Sequence, residues 1–445
     1  MASTIDPSPQ SAAAESESAE SALLYDTEES RARTRPTVWL LMAMLYYAGY
    51  NGSIAAIASP WIAHSFGLDQ SAIAAVFAWL ALSALGSLGL SRMADRAGRR
   101  RVLLWSAAAI PLCSLGAALS TKLALFVIFE IALGSFAGAA GASSIVMLAE
   151  ALPIARRAQG QSFGGLAATL GAGLCVMLMP AVVALGISWR WLLVLSTVGI
   201  ALLPWLARAL AESGRWERAA KAGDSSRSRF HDVFVSLYRR RTIALMTCGL
   251  MGAIAGEGIS TWGYFHAVSV VGLSAGVASV MTLVGGGLGM LGFPIGAWAA
   301  ERFGRVPTVV ISGGAVAAGG LCFYWGPPAH FGWPILWLCA AFLFLNAASN
   351  VSTVASNAAI TELFPTALRG TIIGWLSLVG AAGSLSAEAT ISLLARPLGG
   401  LSTVVGWLGL LAVPGAILFG IVMDETRGLS LEDAGKEAAF RARER

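Results

Sequence analysis

Three carboxyl side chains stand alone inside long apolar stretches: Glu130, Glu257 and Glu388. An anion buried in an apolar medium is costly, so such a group faces water, takes donors from its neighbours, or carries a proton. A carboxyl exposed in turn to two compartments could bind a proton from one and release it to the other, which is the chemistry of proton coupling. Glu130 and Glu257 are the leading candidates. The alternatives are a glutamate that ties neighbouring helices together and one that touches a cationic solute directly. Each lies six to nine residues from the same end of its stretch, or roughly 9–14 Å at ~1.5 Å per residue. No Lys or Arg lies equally deep. An anionic solute normally needs a buried cation, so these residues point to a neutral or cationic one.

Polar and aromatic residues in the same stretches supply candidate solute contacts: Asn51, Gln161, Trp262, Tyr264, Asn346, Asn350 and Asn357. The last three recur at spacings of four and seven, which puts them on one face of a helix. Such a face could read a hydroxylated solute, or it could equally serve contacts between helices.

Two short charged patterns occur twice. Asp95-Arg96-Ala97-Gly98-Arg99 returns as Glu301-Arg302-Phe303-Gly304-Arg305, and Glu150-x-x-Pro153-x-x-x-Arg157 returns as Glu362-x-x-Pro365-x-x-x-Arg369. Acids beside arginines at helix ends can form charge-assisted hydrogen bonds that hold one conformation and release in another. Asp95, Arg96, Arg99, Glu150, Arg157, Glu301, Arg302, Arg305, Glu362 and Arg369 are therefore candidate latch residues. Plain topogenic charge is the simpler reading of the same pattern.

The elements that must position these groups follow from composition. Hydrophobic residues make up 56% of the chain and charged residues only 12%. The charge is absent in blocks of membrane-spanning length, and twelve such blocks fall between 37 and 423. The expected fold is all-α and integral to the membrane. It has a disordered tail over 1–36, six helices over 37–209, a linker over 210–241, six more helices over 242–423, and a tail over 424–445. Of the 30 Lys and Arg, all but Lys122, Arg190 and Arg396 fall in segments on one face, which predicts that both termini and the linker are cytoplasmic. The chain is expected in a plasma or bacterial inner membrane, in contact with lipid and functional as a monomer. Its basic residues serve insertion, and no soluble domain is present to offer a nucleic-acid surface.

Glycines cluster in spans two, five, eight and eleven, where small residues let backbones approach closely. The expectation is that they line the surface on which two halves rock; the alternative is packing inside one half. No metal-ligand cluster, nucleophile–base pair or phosphate loop stands out, so neither a cofactor nor an enzymatic activity is expected.

The ordered motifs resemble those of the major facilitator superfamily, on its sugar-porter and metabolite–proton symporter side. Ser91–Arg100 is similar to the signature between that family's second and third helices. Glu212-Ser213-Gly214-Arg215-Trp216 is similar to its segment after helix six, and Asp424–Glu432 to its C-terminal element. The resemblance implies two pseudo-symmetric six-helix bundles and secondary transport by alternating access. It implies a small-molecule substrate, with protons as coupling partner. Departures are informative: the helix-four arginine of many members is replaced by Glu130, and no glutamine-rich sugar pattern surrounds Glu257. Proton-coupled symport of a small neutral or cationic metabolite is the expected activity. Proton-driven export of a drug or secondary metabolite is the alternative.

Overall fold

A computed structural model describes residues 28–152, 157–210, 212, 232–234, 238–326, 334–364 and 366–427. The side chains of Asp95, Glu150, Arg157, Gln161 and Arg369 lie outside the described residues, although each is an expected site residue.

Among the described residues every element is helical. Where no water is at hand to satisfy the backbone, a helix closes its own hydrogen bonds. Twelve helices among the described residues are long and apolar enough to cross a membrane. Spans one to six are Pro36–Phe66, Gln70–Ala94, Arg99–Leu119, Leu123–Leu148, Phe163–Ala184 and Arg190–Ala209. Spans seven to twelve are Arg239–Val270, Ala275–Phe303, Arg305–Tyr324, Ile335–Ile360, Thr371–Leu394 and Leu401–Val422. Twelve crossings bring the chain back to its starting face, so the turns after spans one, three, five, seven, nine and eleven lie at the opposite, far ends. The first helix begins at Glu28, so the last residues of the expected 1–36 tail are already helical.

The chain forms two compact units that cut across sequence order. One comprises Met1–Ile54, Gly86–Cys175 and Arg190–Asp224; the other comprises Ala55–Leu85, Val176–Trp189 and Ser225–Arg445. The second unit therefore includes the far ends of spans one, two and five. Its core near the chain ends gathers Tyr238, Leu245, Leu363, Phe364, Ile372 and Phe419, all buried.

The glycines within these spans that meet a close neighbour meet it inside their own half of the sequence. A Cβ built at Gly289 would lie 2.5 Å from the Cβ of Asn346, and one at Gly292 would lie 2.2 Å from the carbonyl oxygen of Ala347. Span eight thus presses against span ten. Gly383 meets Ala253 of span seven, Gly86 meets Ser135 of span four, and Gly171 meets the backbone of Tyr46 in span one. Helix packing within a half, not a surface between halves, accounts for these positions.

Candidate functional site

Span seven leaves α geometry where its sequence reads Glu257-Gly-Ile-Ser-Thr-Trp-Gly263. Helix runs from Arg239 to Thr261, Trp262 interrupts it, Gly263–Phe265 forms a short turn, and His266–Val270 is a π turn. Two hydroxyls compete for partners here. Ser260 Oγ donates back to the Gly256 carbonyl at 2.8 Å, and Thr261 Oγ1 donates to Glu257 Oε1 at 2.8 Å. Hydroxyl back-bonding of this kind loosens a helix, and single π turns recur at functional sites.

Glu257 accepts a second hydrogen bond, from Ser384 Oγ on span eleven at 3.0 Å. Glu388 stands one helical turn beyond Ser384, on the same face. It is only 2% exposed. Its Oε2 accepts from the indole Nε1 of Trp262 at 3.1 Å, and its Oε1 has no partner. The hydroxyl of Tyr324 donates to the Ile259 carbonyl. His266 engages Ser402 Oγ through Nδ1 at 2.7 Å, with its ring 5.2 Å from that of Phe323 and 5.1 Å from that of Tyr324.

The same indole packs against the far end of span two, with the rings of Trp262 and Phe77 4.9 Å apart. Tyr264 lies 6.3 Å from Trp61 and hydrogen-bonds the Ala275 carbonyl and Ser279. Polar contacts extend this clasp. Arg396 Nε donates to Asp69 Oδ2 at 2.8 Å, Gln70 Oε1 accepts from the Leu401 N–H at 2.8 Å, and Ser71 donates to the Ser392 carbonyl. The carboxyl of Asp69 is held below its ordinary range, first by the Ala72 N–H that it caps and then by the Arg396 guanidinium. No sequence pattern links Asp69, Gln70 and Arg396; all three lie at the far ends, where charge is otherwise scarce.

In the other unit, Glu130 is buried at 6% exposure and its Oε1 has no partner. Asn51 is fully engaged. Its Nδ2 donates to the Tyr47 carbonyl at 2.8 Å, and its Oδ1 accepts from Ser196 Oγ at 2.6 Å. It ties span one to span six.

The expected polar face of span ten divides. Asn346 Nδ2 bonds its own helix at the Phe342 carbonyl, and Asn350 Nδ2 donates to the Gly289 carbonyl of span eight at 3.0 Å. Asn357 alone of the three lines a cavity of about 420 Å³, together with Ser349, Ser352, Thr353 and Ser356. That run of hydroxyls and one amide is the wall best suited to hydrogen-bond a solute.

The duplicated motifs behave as helix starts. Gly98 and Gly304 occupy equivalent places with φ of 103° and 110°, a region that other residues rarely adopt. The N–H groups exposed beyond each glycine are capped by a distant carboxylate. Glu212 accepts from Arg99 N at 3.0 Å and Arg100 N at 3.1 Å, while Glu425 accepts from Arg305 N and Val306 N, each at 3.0 Å. A carboxylate is favoured at a helix N-terminus by both hydrogen bonding and the dipole. Burial acts to raise the carboxyl of Glu425, but the four N–H groups of Arg305, Arg427, Val306 and Thr426 outweigh it and hold it below its ordinary range.

Arg305 reaches Glu362 at 3.1 Å, which also accepts from Thr426, and Arg241 pairs with Asp424. Arg305 of one repeated motif thus meets Glu362 of the other. Arg96, Glu301 and Arg302 are exposed instead. The carboxylates at the two helix starts are Glu212 and Glu425. Both stand shortly after the last span of their half, in Glu212-Ser213-Gly214-Arg215 and Glu425-Thr426-Arg427.

The Major Facilitator Superfamily family model matches residues 39–388. The chain is 23% identical to a gentisate transporter of Corynebacterium glutamicum over 350 residues, covering 78% of this chain and 76% of that one. It is 27% identical to a gallate transporter of Pseudomonas putida, covering 78% and 83% of the two chains. Among solved structures it is similar to a D-xylose–proton symporter with a TM-score of 0.72 at 19% identity, covering 89% of this chain and 99% of that one. At this identity the likeness speaks to the fold.

Proposed function

The chain belongs to the Major Facilitator Superfamily, and from that premise we propose that it is a proton-coupled symporter of a small organic metabolite. It is a multi-pass membrane transporter, not an enzyme. The observation that carries proton coupling is the set of three acids, Glu130, Glu257 and Glu388, deep in spans that hold no equally deep Lys or Arg. With no Lys or Arg as deep as these acids to receive it, the cargo crosses without net negative charge. Relatives are named for gentisate, gallate and 4-methylmuconolactone, all ring compounds. Each carries a carboxylate, the muconolactone included, and a carboxylate meets the condition when it travels with a proton. The excess of Lys and Arg on the tail side supports cytoplasmic termini and makes the far ends extracellular. We take the working unit to be one chain, in a plasma or bacterial inner membrane.

The test is uptake into proteoliposomes of gentisate, gallate, 4-methylmuconolactone and xylose, with and without an inward proton gradient. The reading expects at least one ring compound to accumulate only when the gradient is present, and accumulation to fall at least tenfold in one of Glu130→Gln, Glu257→Gln and Glu388→Gln. Uptake that ignores the gradient in every case overturns it.

A further inference from the structure

We propose that Glu257 and Glu388 form a single-proton site on spans seven and eleven, with the proton held by Glu388 while Trp262 is closed on Phe77. This rests on the transport reading above and deepens it by naming the coupling group.

The two carboxyls have opposite surroundings although Ser384, which donates to Glu257 from span eleven, stands only one helical turn from Glu388. Glu257 receives two hydroxyl donors, from Thr261 and Ser384, and is provided for as an anion. Glu388 receives one indole N–H on Oε2 and nothing on Oε1, in a site 2% exposed. As an anion it would keep one oxygen unpaired among apolar neighbours; as a neutral acid it keeps only a hydroxyl there, which costs much less. Two anions this close would also repel in a medium of low dielectric. When neighbouring carboxyls have environments this different, one holds the proton and the other does not.

The elements packed on span eleven bring few other charges. Span seven carries Arg239, Arg240, Arg241 and Cys248 toward its start and Glu257, Tyr264 and His266 toward its far end; the Asp232–Phe234 turn adds Asp232, and neither Gln70–Leu80 of span two nor Leu401–Gly409 of span twelve holds a titratable group. Tyr324, at the end of span nine, is committed to Ile259, and Arg396 is drawn to Asp69 at the far end. No described Lys or Arg is therefore placed to compensate Glu388.

The proton then sets the clasp. With Glu388 neutral, Trp262 can stay buried on its carbonyl oxygen and against Phe77. When the proton leaves, the carboxylate needs water or further donors, and the closed arrangement has none to give. Loss of the proton favours opening at the far end, and its return favours closure. A carrier that closes its outer end when loaded and reopens it when empty needs that order.

The test is infrared spectroscopy of the C=O stretch of protonated carboxyls, on the full chain in phosphatidylethanolamine–phosphatidylglycerol vesicles, titrated from about pH 5 to about pH 10. Part of the titrating band is expected to vanish in Glu388→Gln and to persist in Glu130→Gln. In Glu257→Gln that part should persist but disappear at a different pH, because its charged neighbour is gone. Hydrogen exchange over Gln70–Leu80, compared at one pH above the loss of the band, should be several-fold slower in Glu388→Gln than in the unaltered chain. A Glu388→Gln spectrum that keeps the whole band overturns the assignment to Glu388. An unchanged midpoint in Glu257→Gln overturns the pairing, and equal exchange overturns the link to the clasp. None of these readouts needs a solute, so their failure is separable from failure of the uptake assay.

Discussion

Glu212 and Glu425 hold equivalent places 213 residues apart in sequence: each carboxylate closes the start of a helix that begins after a left-handed glycine. Replacing either by Ala removes an N-cap and a favourable charge at the helix dipole, at a cost of about 1 kcal/mol. Each variant is expected to lower the Tm of the purified protein in detergent by a few degrees, read by a thiol-reactive melting dye. The Gln variants should lose less, because an amide oxygen still accepts.

The contribution of Glu425 depends on pH with a definite sign. Its carboxyl is held below the ordinary value of 4.5 when folded. The stabilisation is therefore complete above about 4.5 and is lost as the pH falls through the lower folded value. The Tm difference between the unaltered chain and Glu425→Gln should be constant from about pH 6 to pH 8 and shrink below about pH 4.

Gly98→Ala and Gly304→Ala meet two obstacles at once. Each asks a side chain to adopt positive φ, and each would set a Cβ 2.5 Å from the capping carboxylate. The strain is ~1–2 kcal/mol. Both variants should melt below the Glu→Gln variants at the same helix, and adding Glu212→Ala to Gly98→Ala should cost less than it does alone.

Gly292→Leu tests the seam between spans eight and ten. Even a Cβ at this position lies 2.2 Å from the Ala347 carbonyl oxygen, which is backbone and cannot step aside. Overpacking at a close helix crossing costs about 1–3 kcal/mol. Gly287 has nothing within 4 Å of the place a Cβ would take, and it should accept Ala with no measurable change in Tm.

The Asp69–Arg396 pair is solvent-exposed and should act mainly on opening at the far end, not on global stability. Arg396→Asp should speed hydrogen exchange across Gln70–Leu80, and Arg396→Lys, which keeps a cation opposite Asp69 and leaves its cap on Ala72 untouched, should retain most of the protection. Because the pair is exposed, the effect should fade in 1 M salt.

Much of the fold was legible in the sequence because a bilayer imposes a coarse rule: blocks of about twenty apolar residues must be helices. The repeated glycine loops, the charged motifs that contain Arg305 and Glu362, and the three acids were legible for the same reason, since charge is conspicuous against an apolar background. Which side of a glycine stripe meets which helix was not, because a small residue serves any close crossing equally well. Glu212 and Glu425 reach partners more than a hundred residues away, and no local spacing announces such a contact. Asn51 reads as a solute contact because an amide in lipid demands a partner; the partners are Tyr47 and Ser196. Glu257 and Glu388 are alike in sequence, and only packing gives one two hydroxyls and the other a single indole.

The short segment after span twelve is therefore part of the fold. Asp424 answers Arg241, Glu425 closes the start of span nine, and Thr426 completes Glu362, all within three residues of sequence. An affinity tag or fluorescent fusion joined at Met423 would strip three helices of their fastenings and yield a protein that looks unstable for reasons unrelated to its label. A junction placed beyond Arg427 leaves those fastenings intact.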